Sequence, residues 1–165
     1  MHGLGQGNGA GPPVSGIVST PVIYFRQDEG YGAFFKASIS GTELSFVGYA
    51  FVDDTDLVTI PDKQATAKDV AKEMQDMVDT WEGGIRAMGS AIVPEKSHWY
   101  LLNFKWENDS WRYATIDESP AELYVRDFTG YSKRMERLAV HKAQRTLGGR
   151  LASDGNSMLE IAYLL

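Results

Sequence analysis

The chain has 165 residues, 43% of them hydrophobic, with a formal net charge of −6 and no cysteine. That size suits one domain or part of one, and the hydrophobic share argues against disorder. The missing cysteines exclude a disulfide framework, thiolate zinc sites and a cysteine nucleophile, and with no apolar run of about 18 residues and no signal-peptide pattern they fit an intracellular protein without a membrane span.

The first element is a glycine-rich segment, Gly3 to Gly11, followed by Pro12-Pro13. It has little propensity for regular structure. Gly5-Gln6-Gly7-Asn8-Gly9-Ala10 formally fits the dinucleotide fingerprint, but no strand precedes it. Taken alone it reads as a tail. Feeding a helix, it would let backbone approach a nucleotide or template strand. Val14, Ile17, Val18, Val22 and Phe25 then recur at helical spacing, with Pro21 expected to kink or end the helix. A hairpin follows, Ala33 to Ile39 and Leu44 to Val52 around Ser40-Gly41-Thr42.

The second arm of that hairpin leads into the most informative segment. Val47, Tyr49 and Phe51 alternate with Gly48, Ala50 and Val52, all apolar or small, which predicts a strand buried on both faces. Asp53-Asp54-Thr55-Asp56 is expected as a turn and Leu57-Val58-Thr59-Ile60 as the return strand. Three carboxylates on one hairpin repel each other, and hard oxygen ligands select Mg²⁺ or Mn²⁺. An acidic turn is also a common solvent-exposed feature. The apolar approach strand favours a functional site here, because buried stems place charge at a rigid rim.

Thr66 to about Trp81 is the clearest helix. Thr66 suits the N-cap and Asp69 the capping-box position. Val70, Met74, Met77, Val78 and Trp81 form its apolar face. Gly83-Gly84 is expected to break it, with one further turn over Ile85 to Met88. Ser90 to Val93 reads as a short strand, Pro94 to Ser97 as a turn bearing Lys96, and the segment from His98 to Leu102 as another strand. Asn108-Asp109 is a turn between Phe104-Lys105-Trp106 and Trp111-Arg112-Tyr113. Leu123 to Arg126 and the Asp127 to Gly130 turn suggest one more hairpin, and Leu159 to Leu165 a last apolar segment. The pattern is an α+β domain built from antiparallel hairpins and one prominent helix.

Charge is uneven. Residues 1–125 hold 9 Lys/Arg against 18 Asp/Glu, a net of −9, whereas residues 126–150 hold 7 against 2, a net of +5. A net-negative chain is no simple nucleic-acid coat. The basic block alone reads as a solvated helix face or as a phosphate-facing stripe. His2, His98 and His141 are scattered without metal-ligand spacing.

The order of these motifs resembles a reverse transcriptase, most nearly the retrotransposon-encoded polymerases. Gly5-Gln6-Gly7 with Pro12, then Phe51-Val52-Asp53-Asp54, then a long helix, then Pro94-Glu95-Lys96-Ser97 and Leu147-Gly148 fall in the family's order over residues 3–150. The resemblance implies an antiparallel palm-like sheet with packed helices. Residues 1–102 would be a partial palm, and 103–165 the connection toward the thumb, with inserted hairpins and the basic segment.

Roles follow by position. Asp53 would ligate the catalytic Mg²⁺ (or Mn²⁺), with Asp54 supporting it. Phe51 and Val52 would lie under the primer terminus. Gln6 and Gly7 would pack on the template and the incoming deoxynucleoside triphosphate. Lys96 would approach the triphosphate, where pyrophosphate charge develops. Leu147 and Gly148 would belong to the primer grip, with the basic block beside it along an RNA or DNA backbone. Trp99, Trp106 and Trp111 are candidates for base stacking, although core packing is expected for at least two of them.

The family also needs a third carboxylate on an upstream strand, and only Met1 and His2 precede Gly3. Asp56 is a poor substitute, being on the same hairpin. The expectation is therefore a C-terminal piece of an incomplete palm, inactive by itself and poorly soluble through an exposed sheet edge. Two other classes remain: a non-catalytic protein, either a retroelement remnant or a domesticated nucleic-acid binder, that binds primer–template without metal, and an unrelated Mg²⁺-dependent phosphotransferase or nuclease using Asp53, Asp54 and Asp56.

Overall fold

The chain was described from a computed structural model, which covers residues 11–51, 54–61, 64–146 and 149–164. Its elements are mixed α and β, with small sheets of two strands each, all but one of them antiparallel. They group into two compact units, residues 1–65 with 72–91 and residues 66–71 with 92–165. Among the described residues no helix is long and apolar enough to cross a membrane.

In the first unit, helix α1 (Gly11–Asp28) starts where the glycine-rich segment gives way to Pro12-Pro13, residues suited to a first helical turn. Pro21 lies inside the helix rather than ending it. The stop comes at Gly30, whose φ of 84° is the left-handed conformation glycine adopts freely. Arg26, buried in the last turn, pairs with Glu29 at 2.8 Å and stacks 3.6 Å over the Tyr31 ring. Strands β1 (Ala33–Lys36) and β2 (Glu43–Phe46) pair with Ala33 opposite Phe46, closed by the 37–42 turn. Strands β3 (Gly48–Phe51) and β4 (Asp54–Leu57) form the next ladder, extended by the Val58 N–H donating to the Val47 carbonyl at 2.7 Å.

Helix α2 (Ala67–Ala87) begins with the expected capping box. The Asp69 carboxylate accepts from the Thr66 N–H at 2.8 Å, and the Thr66 hydroxyl accepts from the Asp69 N–H at 3.3 Å. Met77 and Val78 are buried, while Val70, Met74 and Trp81 are half-buried. The helix runs through Gly83-Gly84 instead of breaking there. A Cβ on Gly84 would sit 2.6 Å from Val22 Cγ2, so α1 and α2 approach closely at a position without a side chain. Packing of the two helices outweighs glycine's poor helix propensity. The fully buried Glu82 is matched by Arg86 one turn on, at 2.8 Å.

Ser90–Val93, where the first unit passes into the second, is not a strand. Pro94–Lys96 forms a 3-10 turn that leads into β5 (His98–Trp99). The hairpin β6 (Phe104–Glu107) with β7 (Ser110–Tyr113) has Asn108 and Asp109 at φ of 50° and 57°, the two-residue turn expected there. A second hairpin pairs β8 (Tyr124–Arg126) with β9 (Ser132–Arg134). Its turn is held by the buried Asp127, whose carboxylate accepts the N–H groups of Thr129 at 2.9 Å and Tyr131 at 3.1 Å. Strand β10 (Glu136–Arg137) returns parallel to β5. Strands β11 (Gln144–Thr146) and β12 (Gly149–Leu151) pair next, and α3 (Met158–Leu164) closes the chain. Leu123, Val125, Met135, Leu138, Leu101 and Trp99 make this unit's core.

Of the tryptophans expected in the core, Trp99 is buried. Trp106 and Trp111 are 57% and 67% exposed, paired edge to face at 5.2 Å. They lie directly opposite each other on one face of their hairpin. The other face, with Lys105 and Arg112, is tied down by Glu118, so it is the charged side of the hairpin that is anchored.

Candidate functional site

The acidic hairpin differs in register from the expectation. Pairing runs Gly48↔Leu57, Tyr49↔Asp56, Ala50↔Thr55 and Phe51↔Asp54. Asp54, Thr55 and Asp56 are therefore strand residues and not the turn expected over 53–56. The cause is the tight Val47–Val58 bond, which fixes the ladder, together with the preference of β-branched Thr55 for a strand. Gly48 allows the close pairing. A Cβ there would fall 2.2 Å from the Asp56 carbonyl oxygen.

Alternation places Asp54 and Asp56 on one face of β4, with Tyr49 across from Asp56. Hydrogen bonding to the Asp56 carboxylate raises the Tyr49 phenol above its ordinary value, with burial and the charges of Asp56 and Asp54 acting in the same direction. The strand is not buried on both faces: Tyr49 is 40% exposed, and Asp54 is exposed. Two carboxylates on that face need water or a cation, so the face stays open. The alternation Asp54-x-Asp56 facing Tyr49-x-Phe51 is visible in the sequence, and it is the signal for this pairing.

The other expected site residues are distributed as follows. Gln6, Gly7, Val52, Asp53, Leu147 and Gly148 lie outside the described residues. The Phe51 backbone ends β3 opposite Asp54. Asp54 belongs to the first unit and Lys96 to the second. Lys96 is exposed at the end of the 3-10 turn, with no ion-pair partner among the described residues. Among those residues no three carboxylate, histidine or cysteine side chains gather into a metal-binding group.

The basic block is strand and turn rather than a helix face. Lys133 pairs with Glu95 at 2.8 Å and Asp127 at 3.4 Å, Arg134 with Glu122 at 2.9 Å, and Lys142 with Glu136 at 3.3 Å. Three of the block's seven cations thus meet carboxylates in space, and two of those carboxylates, Glu95 and Glu122, come from outside it. Lys133 draws the Glu95 carboxyl below its usual range through a hydrogen bond, and the Tyr124 hydroxyl and Arg134 do the same for Glu122.

Compared with protein-family models, curated proteins and solved structures, the chain matches none.

Proposed function

We propose that this chain carries the catalytic hairpin of an RNA-directed DNA polymerase of the retrotransposon type, performing nucleotidyl transfer on a primed RNA or DNA template. The observation that supports the reading is the β3–β4 ladder. It ends with Phe51 opposite Asp54, the first and last residues of the aromatic-x-Asp-Asp box. A helix follows that hairpin, and a Pro-Glu-Lys turn follows the helix, in the order the family resemblance requires.

The donor chemistry fits a divalent ion. Asp54 offers an exposed hard-oxygen ligand, Asp56 stands two residues along on the same face, and Asp53 adjoins Asp54 in sequence. Asp53 and Asp54 would hold Mg²⁺ or Mn²⁺. When bound, such ions activate the attacking hydroxyl and neutralise charge on the leaving pyrophosphate. The chain's own contribution is rigidity: the ladder fixes the backbone of Asp54 and of Asp56, with Tyr49 directly across from Asp56. Lys96 would bind the triphosphate as a point charge. The exposed Trp106–Trp111 pair supports a nucleic-acid partner, since every base has a face to stack on.

The palm is the fold in which this hairpin would work, and the partners are a template with primer, deoxynucleoside triphosphates and a segment supplying a third carboxylate. The test is metal-dependent primer extension by the chain joined to such a segment, compared with its Asp53→Asn variant. Hydrolysis of a small phosphoester without primer would instead favour an unrelated phosphotransferase or nuclease. Tight primer–template binding that ignores metal would favour a non-catalytic remnant.

A further inference from the structure

The second unit contains a cleft of about 640 Å³ that the polymerase reading does not use. Pro94, Trp99, Ile116, Pro120 and Met135 give it apolar walls. Trp99, only 7% exposed, and Arg137 lie directly opposite each other in the parallel β5–β10 pair. The guanidinium carbon stands 5.1 Å from the indole centroid. This is a cation held over an aromatic ring by two paired strands, so its position is set before any ligand arrives.

Charge accounting singles out Arg137. The cleft is lined by Glu95, Asp117, Glu122 and Glu136 against Lys133, Arg134 and Arg137. Glu95 is taken by Lys133, Glu122 by Arg134 and Glu136 by Lys142. Arg137 has no carboxylate partner among the described residues. One of its five N–H donors goes to the Ser119 carbonyl, and its buried Nε has no acceptor. Burial alone pushes its pKa down. A half-buried guanidinium without a counter-charge costs desolvation energy that a bound anion would offset.

We propose that this cleft binds a small organic monoanion, an apolar or planar ring bearing one carboxylate, with the carboxylate on Arg137 and the ring along the Trp99 side. The volume lies in the range of small-molecule sites. The apolar walls call for a hydrophobic body. Asp117, which has no cationic partner among the described residues, repels a second negative charge, so a dianion such as phosphate is disfavoured. The Arg fork matches a carboxylate in two-point geometry.

The test uses the full chain, ¹⁵N-labelled, titrated with sodium benzoate and followed at the Trp99 indole N–H, assigned through Trp99→Phe. The expected result is a saturable shift with a dissociation constant on the order of millimolar. Benzamide, the same ring without the charge, and inorganic phosphate should each bind at least about tenfold more weakly, roughly the cost of one charge-assisted hydrogen bond. Arg137→Met should abolish saturation. Arg137→Lys keeps the charge but loses the fork, and should weaken benzoate about tenfold. If Arg137→Met does not fold, the lysine variant decides. Benzamide binding as tightly as benzoate, full affinity in Arg137→Lys, or no saturable shift would overturn the proposal.

Discussion

Tyr49 stands directly across the β3–β4 ladder from Asp56, and the carboxylate raises the pKa of the phenol. Asp56 is half-buried there, while Asp54 on the same face is exposed. Because the folded pKa of Tyr49 lies above its unfolded value, the linked stability is fully present below about pH 10 and is lost as pH rises through the folded value. Asp56→Asn should bring the Tyr49 pKa back down toward about 10. A pH titration of the Tyr49 ring carbon by NMR reads this directly, and an unchanged midpoint would show that Asp56 does not hold the hydroxyl.

Gly83, Gly84 and Gly48 of the first unit should respond in opposite ways. Gly83 has open space around its missing side chain. Gly83→Ala in the middle of α2 should stabilise the chain by about 1 kcal/mol through helix propensity. Gly84→Ala should destabilise it by about 1–3 kcal/mol, because the new methyl meets Val22, and Val22→Ala in the same chain should recover part of that loss. Gly48→Ala should cost at least as much, since the obstacle is backbone that cannot rotate away. Urea unfolding of the four variants is sufficient, and equal effects at Gly83 and Gly84 would refute the α1–α2 contact.

How far the sequence reveals this structure depends on whether the deciding force is local. The α2 start was legible because Thr66 and Asp69 satisfy each other's backbone within one turn. The Asn108-Asp109 turn was legible because those residues accept positive φ. The α2 end was not, since Gly84 is kept helical by Val22, which is distant in sequence. The acidic hairpin was read as a hairpin but in the wrong register, because register is set by pairing upstream at Val47–Val58. The pairing of Lys133 and Arg134 was not legible because their partners Glu95 and Glu122 lie outside the basic block in sequence. The cleft left no sequence signal, as it depends on Trp99 and Arg137 meeting through a parallel pair.

The capping box can be tested independently of function. Thr66→Ala removes the acceptor for the Asp69 N–H, and should cost about 1 kcal/mol. Thermal unfolding followed by circular dichroism measures it. No change would mean that Asp69 alone closes the helix start.

Acid should expose a second linkage. Arg112 grips Glu118 through two N–H groups, each at 2.7 Å, and the Thr115 N–H adds a third bond, so the Glu118 carboxyl is held well below the usual range. A depressed folded pKa contributes stability above the unfolded value, near 4.3, that is lost as pH falls toward the folded one. Glu118→Gln should therefore flatten the acid limb of the stability curve below about pH 4. The dispersion of the Trp106 and Trp111 indole signals reports on the β6–β7 hairpin. An acid limb as steep in the variant as in the parent would assign the loss to other carboxylates.

Metal binding by the chain itself should be weak and should depend on the hairpin acids. Water-proton relaxation with Mn²⁺ should show binding that Asp54→Asn reduces and His98→Gln does not. Equal binding in parent and Asp54→Asn would remove Asp54 from the donor set.

The most direct test of the central claim is single-nucleotide primer extension with Mg²⁺, using the chain joined to a polymerase segment that supplies the third carboxylate. The account predicts extension by the parent, and about a 10²–10³-fold loss or more in Asp53→Asn, with primer–template affinity little changed. Extension at the parental rate in Asp53→Asn would contradict it.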